Sequence, residues 1–175
     1  VNRSPVRVAT TTDAELSELA GAVIAAAVSA GQTLATAESL TGGLLGATLT
    51  AVAGASTVYR GGLITYATDL KASLGGVPAE LLERVGAVAP DTARAMAAGA
   101  AARCGAQVAV ALTGVAGPGI QEGHPAGTVF CGWYAAGSAP GAGAERLALG
   151  GDRDAIRRAA VADALIRLHC LLGAE

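Results

Sequence analysis

Apolar and polar positions alternate with changing period along the chain, and each change of period predicts a new element. From Thr12 to Ala30 the pattern is that of an amphipathic helix. Thr12 followed by Glu15 forms a capping-box signature, and Gly31 stands where a left-handed stop residue belongs. Thr33–Ala37 predicts a short strand, and a second helix runs from near Thr41 to Ala53, ahead of Gly54. Val58–Ala67 is β-branched and aromatic, a strand bent or bulged at Gly61-Gly62. Thr68 can cap a short helix that carries Lys71 and stops at Gly75-Gly76. Pro78 suits the first turn of a helix to Val85, and Pro90 opens a longer one to Cys104, with Gly105 as its terminator. Gln107–Thr113 is an unbroken apolar run of strand length, as expected of a strand covered on both faces. A Gly/Pro-rich loop, Gly114–Ala126, leads to strands Gly127–Ala136 and Glu145–Leu149, with the GSAPGAGA stretch between them read as a flexible loop tip. A closing helix runs from Arg153 to about Leu172.

Strands alternating with helices, and interior strands that are continuously apolar, predict an α/β fold. Its form is a three-layer α/β/α sandwich with a mixed five-stranded sheet, the mixing allowed by the two successive late strands. The organisation expected is a tail over residues 1–12 and one domain over 13–175. Composition narrows the class. Hydrophobic residues are 52% of the chain but aromatics only 3%, so Ala, Val, Leu and Ile must build the core. Charged residues at 15% exclude a disordered chain, which needs the reverse balance. Mean hydropathy is positive, yet no segment is both uncharged and bulky enough to span a bilayer, so no membrane partner is expected. Gly21–Ala30 imitates the apolar part of a signal peptide, but Asp13, Glu15 and Glu18 stand where positive charge should precede it, so a cytoplasmic location is the expectation. With 12 basic against 14 acidic residues and no basic stripe, direct nucleic-acid binding is not expected either. Cys104, Cys131 and Cys170 lack ligand or pairing spacing and read as free buried thiols, so no metal or cofactor is called for. An apolar domain with so little charge is compatible with a homodimer or larger homo-oligomer.

Ligands of open α/β sheets bind beyond the carboxyl ends of the strands, and three such ends carry unusual residues. Glu38-Ser39-Leu40-Thr41-Gly42-Gly43 follows a strand and opens a helix, so the free amides and positive dipole end there suit a phosphate, or an oxyanion beside a nucleophilic serine. Equally, Ser39 or Thr41 can simply cap the helix while Gly42 and Gly43 permit close packing. The turn is neither a Walker loop nor GxGxxG nor GxSxG. Lys71 is the one lysine in a chain whose other basic residues are all arginine. Lysine can lose its proton when desolvated and arginine cannot, which makes Lys71 a candidate general base, against the plain alternative of a surface charge. Tyr66, close by, offers a phenol that relays a proton or merely covers the core. Thr113-Gly114-Val115-Ala116-Gly117-Pro118-Gly119 ends the most buried strand in a small-residue loop that lets a ligand approach the backbone, or that simply clears a neighbouring loop. Arg153, at the start of the last helix, can fork onto a phosphate or carboxylate, or pair with an acidic neighbour. His124 and His169 have no third partner, so neither a triad nor a metal site is supported.

The runs TAESLTGGLL, GGLITYATDLKASLGGV, GAVAPDTARAMAAGA, TGVAGPG, PAGTVF and GGDRDAIRR occur in the order seen in the carboxy-terminal domain of CinA, the competence/damage-inducible protein family. The resemblance covers nearly the whole chain after the tail. Stand-alone members of that family are nicotinamide mononucleotide deamidases, so the resemblance implies metal-free hydrolysis of the mononucleotide carboxamide to nicotinate mononucleotide and ammonia. It further implies that Ser39 is the nucleophile, Lys71 the base and Tyr66 the tyrosine beside them. Thr41, Gly42, Gly43, Thr113, Gly114 and Arg153 would be the substrate-binding residues, with Arg153 and the Ser39–Gly43 turn competing for the phosphate. Two departures stand out: Leu40 replaces the family's Cys, and Gly119-Ile120-Gln121-Glu122 replaces its Asp-Gly-Gly after Gly117-Pro118. The rival expectation is a non-catalytic nucleotide-binding or competence-associated module.

Overall fold

The structure, a computed structural model, describes residues 11–136 and 141–173. Residues 1–10 of the expected tail, and the GSAP half of the expected loop tip, lie outside the described residues. Thr11 and Thr12 already belong to the packed body: Thr11 is buried and its carbonyl accepts from Arg158, while Thr12 caps the first helix.

That helix, α1 (Asp13–Ala30), has the full capping box between Thr12 and Glu15, and Gly31 at φ 62° ends it. Then follow β1 (Leu34–Glu38), α2 (Leu44–Thr50), a 3-10 turn at Ala55–Thr57, β2 (Tyr59–Ile64), α3 (Thr68–Ser73), α4 (Ala79–Val85) and α5 (Pro90–Cys104). The chain closes with β3 (Val108–Gly114), β4 (Thr128–Ala135), β5 (Gly141–Ala148) and α6 (Arg153–Leu171). The five strands form one sheet in the order β2-β1-β3-β4-β5. The three strands β2, β1 and β3 run parallel, while β4 and β5 pair antiparallel. The mixed sheet and helical layers agree with the sequence reading.

Alternation along the central strands sorts the core into two unequal faces. Leu34, Val108, Val110 and Leu112 point to a thick aliphatic core shared with α1, α2 and α6. Ala35, Ala37, Ala109 and Ala111 point the other way, against Met96, Ala97, Ala100 and Ala101 of α5. Alanine on both partners brings that helix unusually near the sheet, so close that a Cβ on Gly132 of β4 would collide with the Ala93 backbone.

Several boundaries differ from the sequence reading, among them the end of the second helix, at Thr50 rather than Ala53. The second helix starts at Leu44 rather than near Thr41, because Gly42 and Gly43 take positive φ (61° and 101°) and form turns instead. The second strand stops at Ile64, with its register shift falling opposite Leu34/Ala35. The last strand begins at Gly141, not Glu145, since β4 offers hydrogen-bonding partners all along that glycine-rich segment. The thiols also differ: all three are free, but only Cys131 is buried, Cys104 being half-buried and Cys170 exposed. Among the described residues, no helix is long and apolar enough to cross a membrane.

Candidate active site

Because β2, β1 and β3 are parallel, their carboxyl ends share one edge of the sheet, and the unusual residues gather there. Ser39 leaves β1 directly after Glu38, with its amide bonded to the Leu112 carbonyl of β3 at 2.9 Å. Across the other neighbour, the Thr65 amide bonds the Glu38 carbonyl at 2.8 Å. Ser39 is thus held at the junction of three strand ends.

Lys71, on α3, is 2% exposed and comes back to this junction. Its Nζ lies 2.9 Å from Ser39 Oγ and 2.8 Å from the Thr65 carbonyl. Burial pushes the Lys71 pKa below the ordinary lysine value of 10.5, and the negative charge of Glu122 opposes that shift. A buried amine on a nearly buried hydroxyl, with its proton affinity lowered, is an arrangement that can move a proton between the two.

The turn after Ser39 corrects one expectation. The amides that open α2 are not open to a ligand: the Glu38 carboxylate accepts from Gly43 (2.9 Å), Leu45 (3.0 Å) and Gly46 (2.8 Å). The Gly42 amide turns back onto the Ser39 carbonyl at 3.1 Å. The end of α2 therefore already holds its anion, so Gly42 and Gly43 offer no donor to a phosphate or an oxyanion. Among the described residues, the amides of Leu40 and Thr41 have no acceptor. Glu38 was missed by the sequence reading. The available signal was an acid one residue before the turn, within reach of the helix start.

A cavity of about 250 Å³ opens above the junction, lined among others by Ser39, Leu40, Tyr66, Gly114, Gly117 and Arg153. Gly114 lies where a Cβ would come within 2.5 Å of the Thr128 carbonyl, and its φ of 155° excludes most side chains. Tyr66 is 59% exposed, and its hydroxyl pairs with Arg153 at 2.9 Å rather than with Lys71 or Ser39. Arg153 also donates to the Gly117 carbonyl at 2.9 Å, tying the start of α6 to the loop after β3. Thr113 is buried and does not line the cavity; its hydroxyl donates to the Ala87 carbonyl at 2.7 Å, so it braces a neighbouring loop. Thr41 is fully buried, and its hydroxyl has no partner among the described residues. Of the residues singled out in the sequence, Ser39, Tyr66, Gly114 and Arg153 line one cavity and Lys71 reaches it through Ser39, whereas Thr41, Thr113, Gly42 and Gly43 are not among its lining.

Comparison with known proteins identifies the family. The profile of the CinA C-terminal domain matches residues 16–172. A CinA-like protein of Frankia casuarinae is 48% identical over 147 residues, covering 84% of this chain and 33% of its own length. The chain thus spans about a third of that curated relative. A CinA superfamily protein of Klebsiella pneumoniae superposes with a TM-score of 0.85 at 35% identity, covering 90% of this chain and 98% of that one. A competence/damage inducible protein of Agrobacterium tumefaciens gives a TM-score of 0.84 at 37% identity, covering 97% and 99%. The match runs from α1 through α6 and includes every segment around the cavity, so the chain belongs to the CinA C-terminal domain family.

Proposed function

We propose that this domain hydrolyses the carboxamide of nicotinamide mononucleotide, releasing ammonia and nicotinate mononucleotide, with Ser39 as nucleophile and Lys71 as base. The observation that carries the reading is the buried 2.9 Å contact between Lys71 Nζ and Ser39 Oγ. As the neutral amine, Lys71 takes the hydroxyl proton while Ser39 Oγ bonds to the carboxamide carbon. The C–N bond then breaks, and the Lys71 ammonium returns its proton to the departing ammonia. Water attacks the acyl-serine ester with Lys71 again taking the proton, and the carboxylate leaves as Ser39 regains its hydrogen.

Leu40, which lines the cavity, offers an amide without an acceptor among the described residues beside Ser39, a donor for the oxyanion of the kind that contributes about 3 kcal/mol in a well-studied hydrolase. Since Glu38 occupies the end of α2, Arg153 is the better placed of the two phosphate candidates. Tyr66 in this scheme orients the Arg153 guanidinium and takes no proton from Ser39.

The test is coupled-enzyme detection of ammonia from nicotinamide mononucleotide, beside a panel of other pyridine amides. Steady release that stops in Ser39→Ala supports the assignment. Binding without release by the wild-type protein overturns it in favour of a non-catalytic nucleotide-binding module.

A further inference from the structure

The turn that carries Ser39 is gripped from two sides by opposite charges. Inside, the Glu38 carboxylate holds three amides of the first turn of α2. Outside, Arg157 of α6 donates through Nε to the Leu40 carbonyl at 3.2 Å and through a terminal nitrogen to the Thr41 carbonyl at 2.7 Å. Its remaining nitrogen lies 3.8 Å from Asp154 on the same helix. Arg157 follows Arg153 by four positions, so the two stand one turn apart on one face of α6. Arg153 meets the cavity and Arg157 meets the turn beside it.

The carbonyl and N–H of a trans peptide unit point in opposite directions. Holding the Leu40 carbonyl therefore fixes the Thr41 N–H, which belongs to the same unit, facing away from the guanidinium. Holding the Thr41 carbonyl likewise directs the Gly42 N–H, which is the one bonded back to the Ser39 carbonyl. That second bond in turn orients the unit carrying the Leu40 N–H. One guanidinium thus sets the three successive peptide planes that follow Ser39. The Thr41 side chain cannot do this, since its buried hydroxyl has no partner among the described residues.

We propose that Arg157 is a positioning residue for the reaction: it fixes the peptide planes that follow Ser39, and through them aims the Leu40 amide and the Ser39 hydroxyl. The inference rests on the hydrolytic reading of Ser39 and Lys71 above. A planar fork suits two carbonyls spaced one residue apart, and a lysine ammonium, a compact point charge, can satisfy one well.

The experiment compares Arg157→Ala and Arg157→Lys with the wild-type domain, each with a thermal midpoint beside its kinetics. In Arg157→Ala, kcat for ammonia release falls about ten-fold or more while KM stays within about two-fold, the pattern of an interaction that acts in the transition state. Arg157→Lys retains an intermediate kcat, and added guanidinium ion raises kcat of the alanine variant in a saturable way. A folded alanine variant with wild-type kcat overturns the proposal. So does an equal loss in both variants without a guanidinium response, which marks a merely structural role. If the alanine variant does not fold, the lysine variant decides, and a wild-type kcat there is equally fatal. Labelling of Ser39 by a fluorophosphonate, in which Oγ displaces fluoride from phosphorus, separates this inference from the substrate assignment. Wild-type protein that labels on Ser39 but releases no ammonia removes the mononucleotide reading, and slower labelling in the folded variants still supports the clamp. Labelling at the wild-type rate in those variants overturns it, and a wild-type Ser39 that never labels overturns both.

Discussion

Lys71 reaches Ser39 from a helix that begins after the neighbouring strand, and its one ammonium is shared between the Ser39 hydroxyl at 2.9 Å and the Thr65 carbonyl at 2.8 Å. The carbonyl anchors the amine, and the hydroxyl is the partner with a proton to exchange. Substitutions here should separate charge from basicity. Ser39→Ala is expected to abolish ammonia release while mononucleotide binding by calorimetry stays nearly unchanged. Lys71→Arg is expected to be as inactive as Lys71→Ala, because arginine keeps the charge but cannot give up its proton. Substantial turnover by the arginine variant would make Lys71 an electrostatic anchor only.

The pH profile of kcat follows from the same pair. Activity is expected to rise as Lys71 loses its proton, with a midpoint below the ordinary lysine value of 10.5, because burial disfavours the ammonium. The Glu122 charge raises the Lys71 pKa, so Glu122→Gln should move that midpoint to lower pH. A midpoint that moves upward, or does not move, contradicts the coupling. The glutamine keeps an acceptor for the Val88 amide, which Glu122 now holds at 2.9 Å.

Stability should carry the same signature with a defined sign. With its pKa lowered in the folded state, Lys71 binds fewer protons there than in the unfolded chain between its folded pKa and 10.5. Unfolding free energy therefore climbs with pH across that window. Chemical denaturation over a pH series is expected to show this climb in the wild type and to lose it in Lys71→Met.

Glu38→Gln tests the internal grip on the turn. The carboxylate accepts from three amides, and a carboxamide must turn an NH2 group toward at least one of those donors. A loss of about 2–3 kcal/mol is expected, the scale of a buried charge-assisted bond left unmade. Scanning calorimetry should register it as a fall in Tm of roughly 4–12 °C for a domain of this size.

Gly132→Ala tests the close approach of α5 to the sheet. The added Cβ would meet the Ala93 backbone, which cannot swing aside as a side chain does. Overpacking of this kind costs about 3 kcal/mol. An unchanged denaturation midpoint would mean that the helix seats less tightly than the alanine face implies.

Much of the fold is legible in local signals. Thr12, Glu15 and Gly31 bound α1 through bonds that span no more than four residues; Pro90 opens α5 through its fixed φ, and Gly105 closes it with a bond to Ala101. The apolar run of β3 announces a strand covered on both faces, and all of its residues are buried. The solitary lysine and the serine at a strand end were visible as residue types, because basicity and nucleophilicity belong to the side chain itself. The pairings of these side chains were not visible. Ser39 and Lys71 are 32 positions apart, Tyr66 and Arg153 are 87, and Thr41 and Arg157 are 116. Only the parallel order of β2, β1 and β3 and the return of α6 bring them together. The same folding assigned the Thr113 hydroxyl to Ala87. Local propensity determines which segments form helices and strands. Which donor finds which acceptor depends on distances that exist only once the layers have packed.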